Sequence, residues 1–335
     1  MQRSRYVLLL CTGFFLLSCS NYDSPDTTAP ASTEDPYLQA TAQPAWYNPG
    51  VMDTIRIATW NVQHFVDAYD NPYIENERED IPPPAMSNRR ELLAAALRLL
   101  DADIVVFQEF ESDSYLQRFA ESYLPDMGYG AYAALESPDW YMNVVMMSRI
   151  PLGTFYSYAH VNTPIVGQTD SLGNIASQTF INNRMWTVDV LVHPDYEFTL
   201  TGLHLKAGRG PRNEGWRLGQ VNLLRAQLKR LMRLDPDRNQ VIVGDLNMPP
   251  DSDQFGKLLG KNSELAFADP LAGTGEFSHP SDSLFWRIDH ILPNTHMKPE
   301  LVSSSVTVAR PLSEADMIAI SDHLPVVAEF VTIDR

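Results

Sequence analysis

Apolar residues recur along the chain in two kinds of pattern. Short and almost unbroken apolar runs are typical of buried strands. Such runs occupy residues 55–60, 104–107, 144–147, 186–192, 198–203, 241–243, 288–292 and 326–331. Helical spacing is clearest over residues 214–234, where Val221, Leu224 and Leu228 fall on one face. Another helix is predicted over residues 88–100, with Ser87 as its cap. Strand-like and helix-like segments therefore alternate along most of the chain.

These elements lie in a region without an obvious internal boundary. Residues 53–335 contain neither an internal repeat nor a break rich in proline and serine, so we expect one domain. The irregular stretch over residues 162–183 indicates a long surface loop. Before the domain, residues 20–52 are rich in Ser, Thr, Pro, Asp and Ala, and little there could form a core. We interpret residues 19–52 as a flexible linker.

The first residues have the pattern of an export signal. A short basic segment precedes an apolar run over residues 6–17, which is too short to span a bilayer. The run ends in Ser18-Cys19, which looks like the end of a bacterial lipobox. We therefore predict a lipoprotein signal peptide over residues 1–18 and lipidation of Cys19; the alternative is a plain signal peptide with a chance cysteine. The predicted location is the cell envelope, with the outer membrane favoured over the inner membrane.

Charge and cysteine content limit the kinds of function. The formal net charge of −17 argues against a general nucleic-acid binder, which would present a basic face. It does not exclude a nuclease, because a bound metal and a local basic loop can hold phosphate within an acidic protein. The chain has only Cys11 and Cys19. Removal of the signal and lipidation of Cys19 would leave no disulfide, thiolate zinc site or thiol nucleophile.

Polar side chains follow several of the predicted strands directly. They are Asn61, Glu109, His204, Asp245, Asn247, Asp289, Asp322 and His323. Binding sites of layered sheet folds gather at strand ends, so these groups are candidates for one site. Taken singly, each has a plain structural reading as a turn residue, a surface acid or a core histidine. The prediction of a functional site therefore depends on these residues occurring together.

Other kinds of site fit the sequence less well. Ser321, Asp322 and His323 cannot act together as a triad, because neighbouring side chains diverge in an extended segment. The sequence contains no His-Glu-x-x-His helix for zinc and no glycine-rich phosphate loop ending in Gly-Lys-Ser/Thr. Oxygen ligands with scattered histidines suit Mg²⁺, with Mn²⁺ as the second candidate.

The segments around these residues resemble the ordered motif series of the endonuclease/exonuclease/phosphatase superfamily, a family that includes deoxyribonuclease I, abasic-site endonucleases and bacterial sphingomyelinases. The matching segments are Trp60-Asn61-Val62, Phe107-Gln108-Glu109, Leu203-His204-Leu205-Lys206, Gly244-Asp245-Leu246-Asn247, Arg287-Ile288-Asp289-His290 and Ser321-Asp322-His323. The resemblance covers about residues 54–332. It implies a four-layer α-β-β-α sandwich, an α/β fold in which two mostly antiparallel sheets pack face to face with helices outside.

The resemblance also implies which residues hold a metal ion. Glu109 would bind the ion with Asn61 beside it, and Asp322 would support this metal or bind a second one. Some relatives carry an acid two residues after the asparagine, where this chain has Gln63. An additional carboxylate ligand is therefore not expected at that position.

A second group of residues would carry out the reaction on the phosphate ester. By resemblance, Asp245 orients or deprotonates the attacking water and Asn247 positions the water or the phosphate. His204 and His323 would bond phosphoryl oxygens or serve the leaving group, and Asp289 would orient His323. This division matches the needs of phosphate-ester hydrolysis, which are charge neutralisation, an in-line water and help for the leaving oxygen.

The sequence leaves the substrate open among several classes. Lys206, Arg209 and Arg212 form the most basic stretch and are candidate substrate-binding residues. Extracellular nucleic acid, cleaved by a phosphodiesterase or nuclease, is the leading class. The alternatives are a phospholipid head group and a small phosphomonoester such as an inositol phosphate. A surface-binding lipoprotein with a decayed site is the non-enzymatic alternative. Membrane contact is expected only through the lipid anchor, and no protein partner is inferred.

Overall fold

Strands account for much of the regular structure, and they follow the apolar runs of the sequence. In the computed structural model the strands are β1 (Thr54–Phe65), β2 (Ile104–Phe110), β3 (Ala131–Ala134), β4 (Asn143–Ser148), β5 (Leu152–Ser157), β6 (Thr163–Thr169), β7 (Ile175–Gln178), β8 (Met185–His193), β9 (Tyr196–His204), β10 (Gln240–Asp245), β11 (Asp289–Pro293), β12 (Thr307–Val308) and β13 (Val326–Val331). The helices are α1 (Glu77–Asp80), α2 (Met86–Leu100), α3 (Asp113–Tyr123), α4 (Pro211–Leu234), α5 (Asp253–Leu259) and α6 (Glu314–Ile320). The structure describes residues 44–48, 52–137, 140–158, 161–178 and 184–335.

The strands form two large sheets and a separate hairpin. One sheet has six strands in the order β12-β13-β1-β2-β4-β3, and the other has five in the order β11-β10-β9-β8-β5. Neighbouring strands are antiparallel except for two pairs, β1 with β2 and β9 with β10. A parallel pair needs a long crossover connection, which contains α2 in the first case and α4 in the second. Both sheets are therefore mostly antiparallel, as predicted.

Two apolar clusters define the layers. The larger cluster joins the facing sides of the two sheets and extends beneath α2 and α3, and the smaller one lies between the five-stranded sheet and α4 with α5. Trp186 of β8 is fully buried, and its indole N–H donates to the Val144 carbonyl of β4 in the opposite sheet at 2.8 Å. Burial of an aromatic side chain contributes about 2–3 kcal/mol. The predicted four-layer sandwich is confirmed.

The prediction of a long irregular loop over residues 162–183 is wrong. Strands β6 and β7 form an antiparallel hairpin within it, and β6 packs on α4. Two glycines of α4 make this contact possible: a Cβ at Gly215 would lie 2.2 Å from the Val166 carbonyl oxygen, and one at Gly219 would lie 2.1 Å from that of Pro164. Glycine inside a helix normally costs about 1 kcal/mol relative to alanine. Here its small size lets a strand backbone approach the helix.

The compact unit that contains both sheets spans Gln43–Arg335. Within the segment predicted to be a linker, Tyr47 is buried and its hydroxyl donates to the Val192 carbonyl of β8. This residue therefore contributes to the folded unit before β1 begins. Cys19 and the predicted signal peptide lie outside the described residues. No helix in the described part of the chain is both long enough and apolar enough to cross a membrane.

Candidate active site

The parallel strand pairs bring the predicted site residues together at one edge of the sandwich. In the six-stranded sheet, Asn61 of β1 lies beside Gln108, the residue before Glu109 of β2. In the five-stranded sheet, Asp245 of β10 pairs with His204 of β9. The Asn61 side-chain amide donates to Asp245 at 3.0 Å, which joins the two sheets directly. The site is therefore built half on each sheet.

Asn61 holds two carboxylates at the centre of the site. Its amide nitrogen donates to Glu109 at 3.3 Å and to Asp245 at 3.0 Å, while its oxygen accepts from the Gln63 backbone N–H at 3.0 Å. The nitrogen, not the oxygen, therefore faces the acids. Glu109 also accepts from the His64 backbone N–H at 3.1 Å and has a left-handed φ of 59°. Asn61 positions both acids, and its role as a metal ligand stays a prediction.

Asp245 lies between two imidazole rings. His204 Nε2 is 3.6 Å and His323 Nε2 is 3.9 Å from Asp245 Oδ2. Burial, followed by the nearby charge of Asp289, raises the pKa of Asp245 above its usual range. Burial together with the charge of Arg184 lowers the pKa of His204 well below its usual value, so this ring is neutral near pH 7. A buried carboxyl with a raised pKa between two histidines suits proton transfer.

His323 is held by a chain of hydrogen bonds from three parts of the sequence. Its Nδ1 lies 2.8 Å from Asp289 Oδ2, and the Ser278 hydroxyl donates to the same oxygen at 2.7 Å. The His323 backbone N–H donates to the Ser321 hydroxyl, which in turn donates to the Asn61 carbonyl at 2.7 Å. Burial opposes protonation of His323, but the acids around it, Asp289 first, outweigh burial and raise the pKa of the ring. The expected orienting contact between Asp289 and His323 is present.

Asn247 and Asp322 occupy less central positions. Asn247 has a left-handed φ of 51°, its backbone N–H donates to Asp245 at 2.8 Å, and its side-chain amide donates to the Leu205 carbonyl at 3.0 Å. It therefore fixes the loops after β10 and β9. The Asp322 carboxylate lies 3.9 Å from His323 Nε2 and 3.9 Å from His279 Nε2. The structure groups Asp322 with these histidines, and the proposed metal role of Asp322 stays untested.

Several residues of the site were not anticipated. His64 Nε2 is 3.8 Å from Glu109, and the Tyr141 hydroxyl is 2.6 Å from His64 Nδ1. The ring of His279 lies 4.4 Å from that of His323, measured between centroids. Arg184 is close enough to Glu109 and Asp245 for their charges to favour its protonated form, although burial lowers its pKa overall. Only His64, three residues after Asn61 on the same strand, carried a signal in the sequence.

Arg89 ties together the two chain segments that carry Asn61 and His323. Its guanidinium donates to the carbonyls of Val62 and Gln63 at the end of β1 and to the Ile320 carbonyl at the end of α6. Its helix, α2, begins at Met86, so Ser87 lies in the first turn and is not the cap that the sequence predicted. A charged donor shared among three carbonyls fixes the distance between these segments.

The basic loop after β9 divides into residues with different roles. The guanidinium of Arg209 lies 4.2 Å from the ring centre of Trp286, and both line a cavity of about 420 Å³ that also reaches Asn247. Lys206 lies 5.5 Å from the ring of Trp216, and Arg212 is exposed at the start of α4. Of the three predicted substrate-binding residues, Arg209 is the one that lines this cavity.

Glu109 offers a partly accessible carboxylate to a divalent cation. Its two oxygens accept from the Asn61 amide and the His64 backbone N–H, and its side chain is 17% exposed. Mg²⁺ keeps several waters and is usually bound through one or two carboxylates together with substrate phosphate. Glu109, which is linked to Asp245 through Asn61, is one carboxylate of this kind.

Comparisons with known proteins agree with this fold. The chain shares its fold with the human Nocturnin catalytic domain with bound sulfate anion, at 18% sequence identity and a TM-score of 0.55, and the match covers 84% of this chain and 96% of that one. It also shares its fold with an endonuclease/exonuclease/phosphatase from Beutenbergia cavernae, at 20% identity and a TM-score of 0.56, over 84% of this chain and 72% of that one. A third structure with this fold is D. rerio TDP2 complexed with single-strand DNA product, at 14% identity and a TM-score of 0.54, over 83% of this chain and 99% of that one. No curated protein matches the chain by sequence.

The family model described as Endonuclease/Exonuclease/phosphatase family matches residues 58–323. That span begins in β1 before Asn61 and ends at His323, so it contains every strand end that forms the site. The protein belongs to the endonuclease/exonuclease/phosphatase family.

Proposed function

We propose that the protein is a divalent-metal-dependent phosphoesterase that hydrolyses phosphate esters with an activated water. The observation that carries the proposal is the placement of Asp245, which lies within 4 Å of His204 and His323 and is linked to Glu109 through Asn61. This arrangement places a buried proton acceptor, two imidazoles and an accessible carboxylate around one point. Such a set meets the needs of attack by water on phosphorus.

Each residue has a defined part in the proposed reaction. Glu109 would hold Mg²⁺ or Mn²⁺, which when bound neutralises charge on the non-bridging phosphate oxygens. Asp245 accepts a proton from the attacking water, and its raised pKa makes it a stronger base than an ordinary aspartate. His323, oriented by Asp289, donates to a phosphoryl oxygen or to the leaving oxygen. Neutral His204 completes the hydrogen bonding to the phosphate.

The cavity beside Asn247 favours a substrate with a flat group next to the phosphate. Arg209 and Trp286 form a wall of this cavity, with the guanidinium 4.2 Å from the centre of the indole ring. Bases stack on aromatic and arginine planes of this kind. One protein with the same fold was solved with single-strand DNA product. We therefore propose nucleic acid as the substrate class, because a phospholipid head group or a small phosphomonoester has no base to stack on this wall.

A substrate panel tests the proposed reaction. Purified protein is incubated with bis-p-nitrophenyl phosphate, DNA, RNA, sphingomyelin and inositol phosphates, with Mg²⁺ or Mn²⁺ and again with EDTA. We expect metal-dependent release of p-nitrophenol and cleavage of nucleic acid, both abolished by EDTA. Preference for sphingomyelin or inositol phosphates would replace the proposed substrate class. Absence of hydrolysis across the panel would favour the binding lipoprotein.

The stacking wall gives a separate prediction. Trp286→Ala is expected to lower kcat/KM for single-stranded DNA about tenfold or more, because base stacking contributes about 1–3 kcal/mol per base. Hydrolysis of bis-p-nitrophenyl phosphate should change little. Trp46→Ala is the matched control, since Trp46 is half-exposed and packs near Gly130. Equal losses on both substrates in Trp286→Ala would show that the ring supports the catalytic residues and does not bind a base.

We also propose that the protein acts outside the cytoplasm as a lipoprotein anchored through Cys19. The support is the apolar run followed by Ser18-Cys19. Wild-type protein should take up labelled palmitate and sediment with membranes, chiefly the outer membrane in a density gradient. Cys19→Ala should lose the label and leave the membrane fraction. A Cys19→Ala protein that stays membrane-bound would contradict lipid anchoring.

A further inference from the structure

A cluster of acids lies outside the site described above, in the segment between β1 and α2. Asp70, Glu79 and Asp80 each place one carboxylate oxygen within 4.8 Å of the others. Asp70 and Asp80 are exposed, whereas Glu79 is only 1% exposed. The cluster therefore has a buried floor and an open side.

The carboxylate of Glu79 is only partly paired. One of its oxygens accepts from the Asn71 backbone N–H at 2.7 Å, but the buried Oε2 has no hydrogen-bond partner among the residues that the structure describes. Within the described ranges, none of the three acids pairs with a lysine, arginine or histidine. Burying a carboxylate oxygen without a partner costs on the order of several kcal/mol. A positive charge at this point would remove the cost.

The neighbouring arginines interact with residues outside the cluster. Arg118 pairs with Asp67, which lies three residues before Asp70. Arg78 precedes Glu79 in α1, but its charge acts on His64 and Tyr141 at the active site. Burial, followed by repulsion from Asp70 and Asp80, raises the pKa of Glu79. Three acids are thus held together without a protein cation to balance them.

We propose that Asp70, Glu79 and Asp80 form a calcium site that is separate from the catalytic metal position at Glu109. Ca²⁺ takes six to eight oxygen ligands in flexible geometry, so one carboxylate from the chain after β1 and two from α1, with an open side for water, suit it. Mg²⁺ demands near-ideal octahedral geometry and is bound less readily by such a set. The ion would cross-link the chain after β1 to α1, which carries Arg78, a residue whose charge lowers the pKa of His64. The site is structural and does not depend on the proposed reaction.

Calcium titrations of the full protein test the site. We expect CaCl2 to raise the Tm of wild type by about 3–6 °C at saturation, with binding visible by calorimetry. Tb³⁺ bound there should also be sensitised by the exposed rings of Tyr69 and Tyr73 in the same segment. Glu79→Gln keeps the shape of the buried side chain and should abolish the Ca²⁺-dependent rise. Asp237→Asn, which alters an exposed acid elsewhere, should leave it unchanged.

The variants also separate this site from the catalytic one. Glu109→Gln should keep the calcium-dependent rise in Tm, and Glu79→Gln should keep Mg²⁺-dependent hydrolysis. If Glu109→Gln removes the rise and Glu79→Gln retains it, calcium binds only at the active site and the proposal is overturned. If wild type shows no rise at all, and its Tm instead increases as pH falls from 8 to 5 in a manner lost in Glu79→Gln, the cluster is balanced by a proton and the proposal also fails.

Discussion

Replacing Asp245 by asparagine should lower the turnover number by about 10²- to 10⁴-fold, the range of general acid–base contributions, with the Tm unchanged or slightly raised. The carboxylate is buried beside Asp289, and both burial and that charge disfavour its ionised form. Asparagine keeps an oxygen that can accept from the Asn247 backbone N–H, now 2.8 Å from Asp245, and loses the acceptor for the Asn61 amide, a cost that relief of the repulsion from Asp289 offsets. It cannot take a proton from water. Initial rates on bis-p-nitrophenyl phosphate and calorimetric unfolding measure the two effects.

A control from the same sheet separates chemistry from folding. Asp189 lies on β8, is also buried, and accepts from Arg238 and from the Thr199 hydroxyl at 3.0 Å each. Asp189→Asn should lower the Tm and leave the turnover number nearly unchanged. If the Tm of both variants fell by a similar amount, the main role of Asp245 would be to stabilise the fold. Adding His323→Ala to Asp245→Asn should cost much less than the two single losses combined, because residues that act as a unit are not additive.

Replacing Glu109 by glutamine should lower the rate at least about a hundredfold at low Mg²⁺, because the accessible carboxylate at the proposed metal position loses its charge. Raising the Mg²⁺ concentration should recover part of this loss, and a rate-against-Mg²⁺ titration measures the recovery. Glu109 accepts from the Asn61 amide and from the His64 backbone N–H on separate oxygens, so the single carbonyl oxygen of glutamine can keep only one of these hydrogen bonds. Loss of the other should lower the Tm by a few degrees, which is far less than the effect on the rate.

Glu111 provides the matched control for that variant. It lies two residues after Glu109 and is held by the Asp67 backbone N–H. Burial raises the pKa of Glu111 to about 7, so this acid is already protonated in part near neutral pH. Glu111→Gln should leave the Mg²⁺ requirement unchanged. A similar shift in both variants would assign the effect to loosening of the segment and not to a lost metal ligand.

Much of the fold and the centre of the site could be predicted from the sequence because the informative residues lie on strands. An apolar run fixes a buried strand, and a parallel pair such as β9 and β10 brings the residues that end it to the same edge. Asn61, Glu109, His204 and Asp245 converge for this reason. Asn61 and Glu109 are more than forty residues apart in the sequence, and the pairing of β1 with β2 brings them together.

The remaining parts depend on tertiary contacts that leave no periodic signal. The β6–β7 hairpin is polar and short, and it is stabilised by packing against glycines of α4 that look unfavourable in a helix. His279 reaches His323 from an irregular segment, and Ser278 is placed beside Asp289 by the same segment. Arg89 looks like a surface residue of α2, yet its partners are carbonyls from β1 and α6. Local pattern cannot reveal such partners.

The two parallel pairs also explain how a family of enzymes could change substrate without losing its reaction. Each pair is a β-α-β unit that places two polar side chains at the edge of the sandwich where the site lies. The first unit carries Asn61 and Glu109, and the second carries His204 and Asp245. The proposed base-binding wall of Arg209 and Trp286 belongs to loops on the five-stranded sheet only. Insertions or substitutions in those loops can therefore accumulate during evolution, or be introduced by design, while the unit that carries Asn61 and Glu109 stays intact.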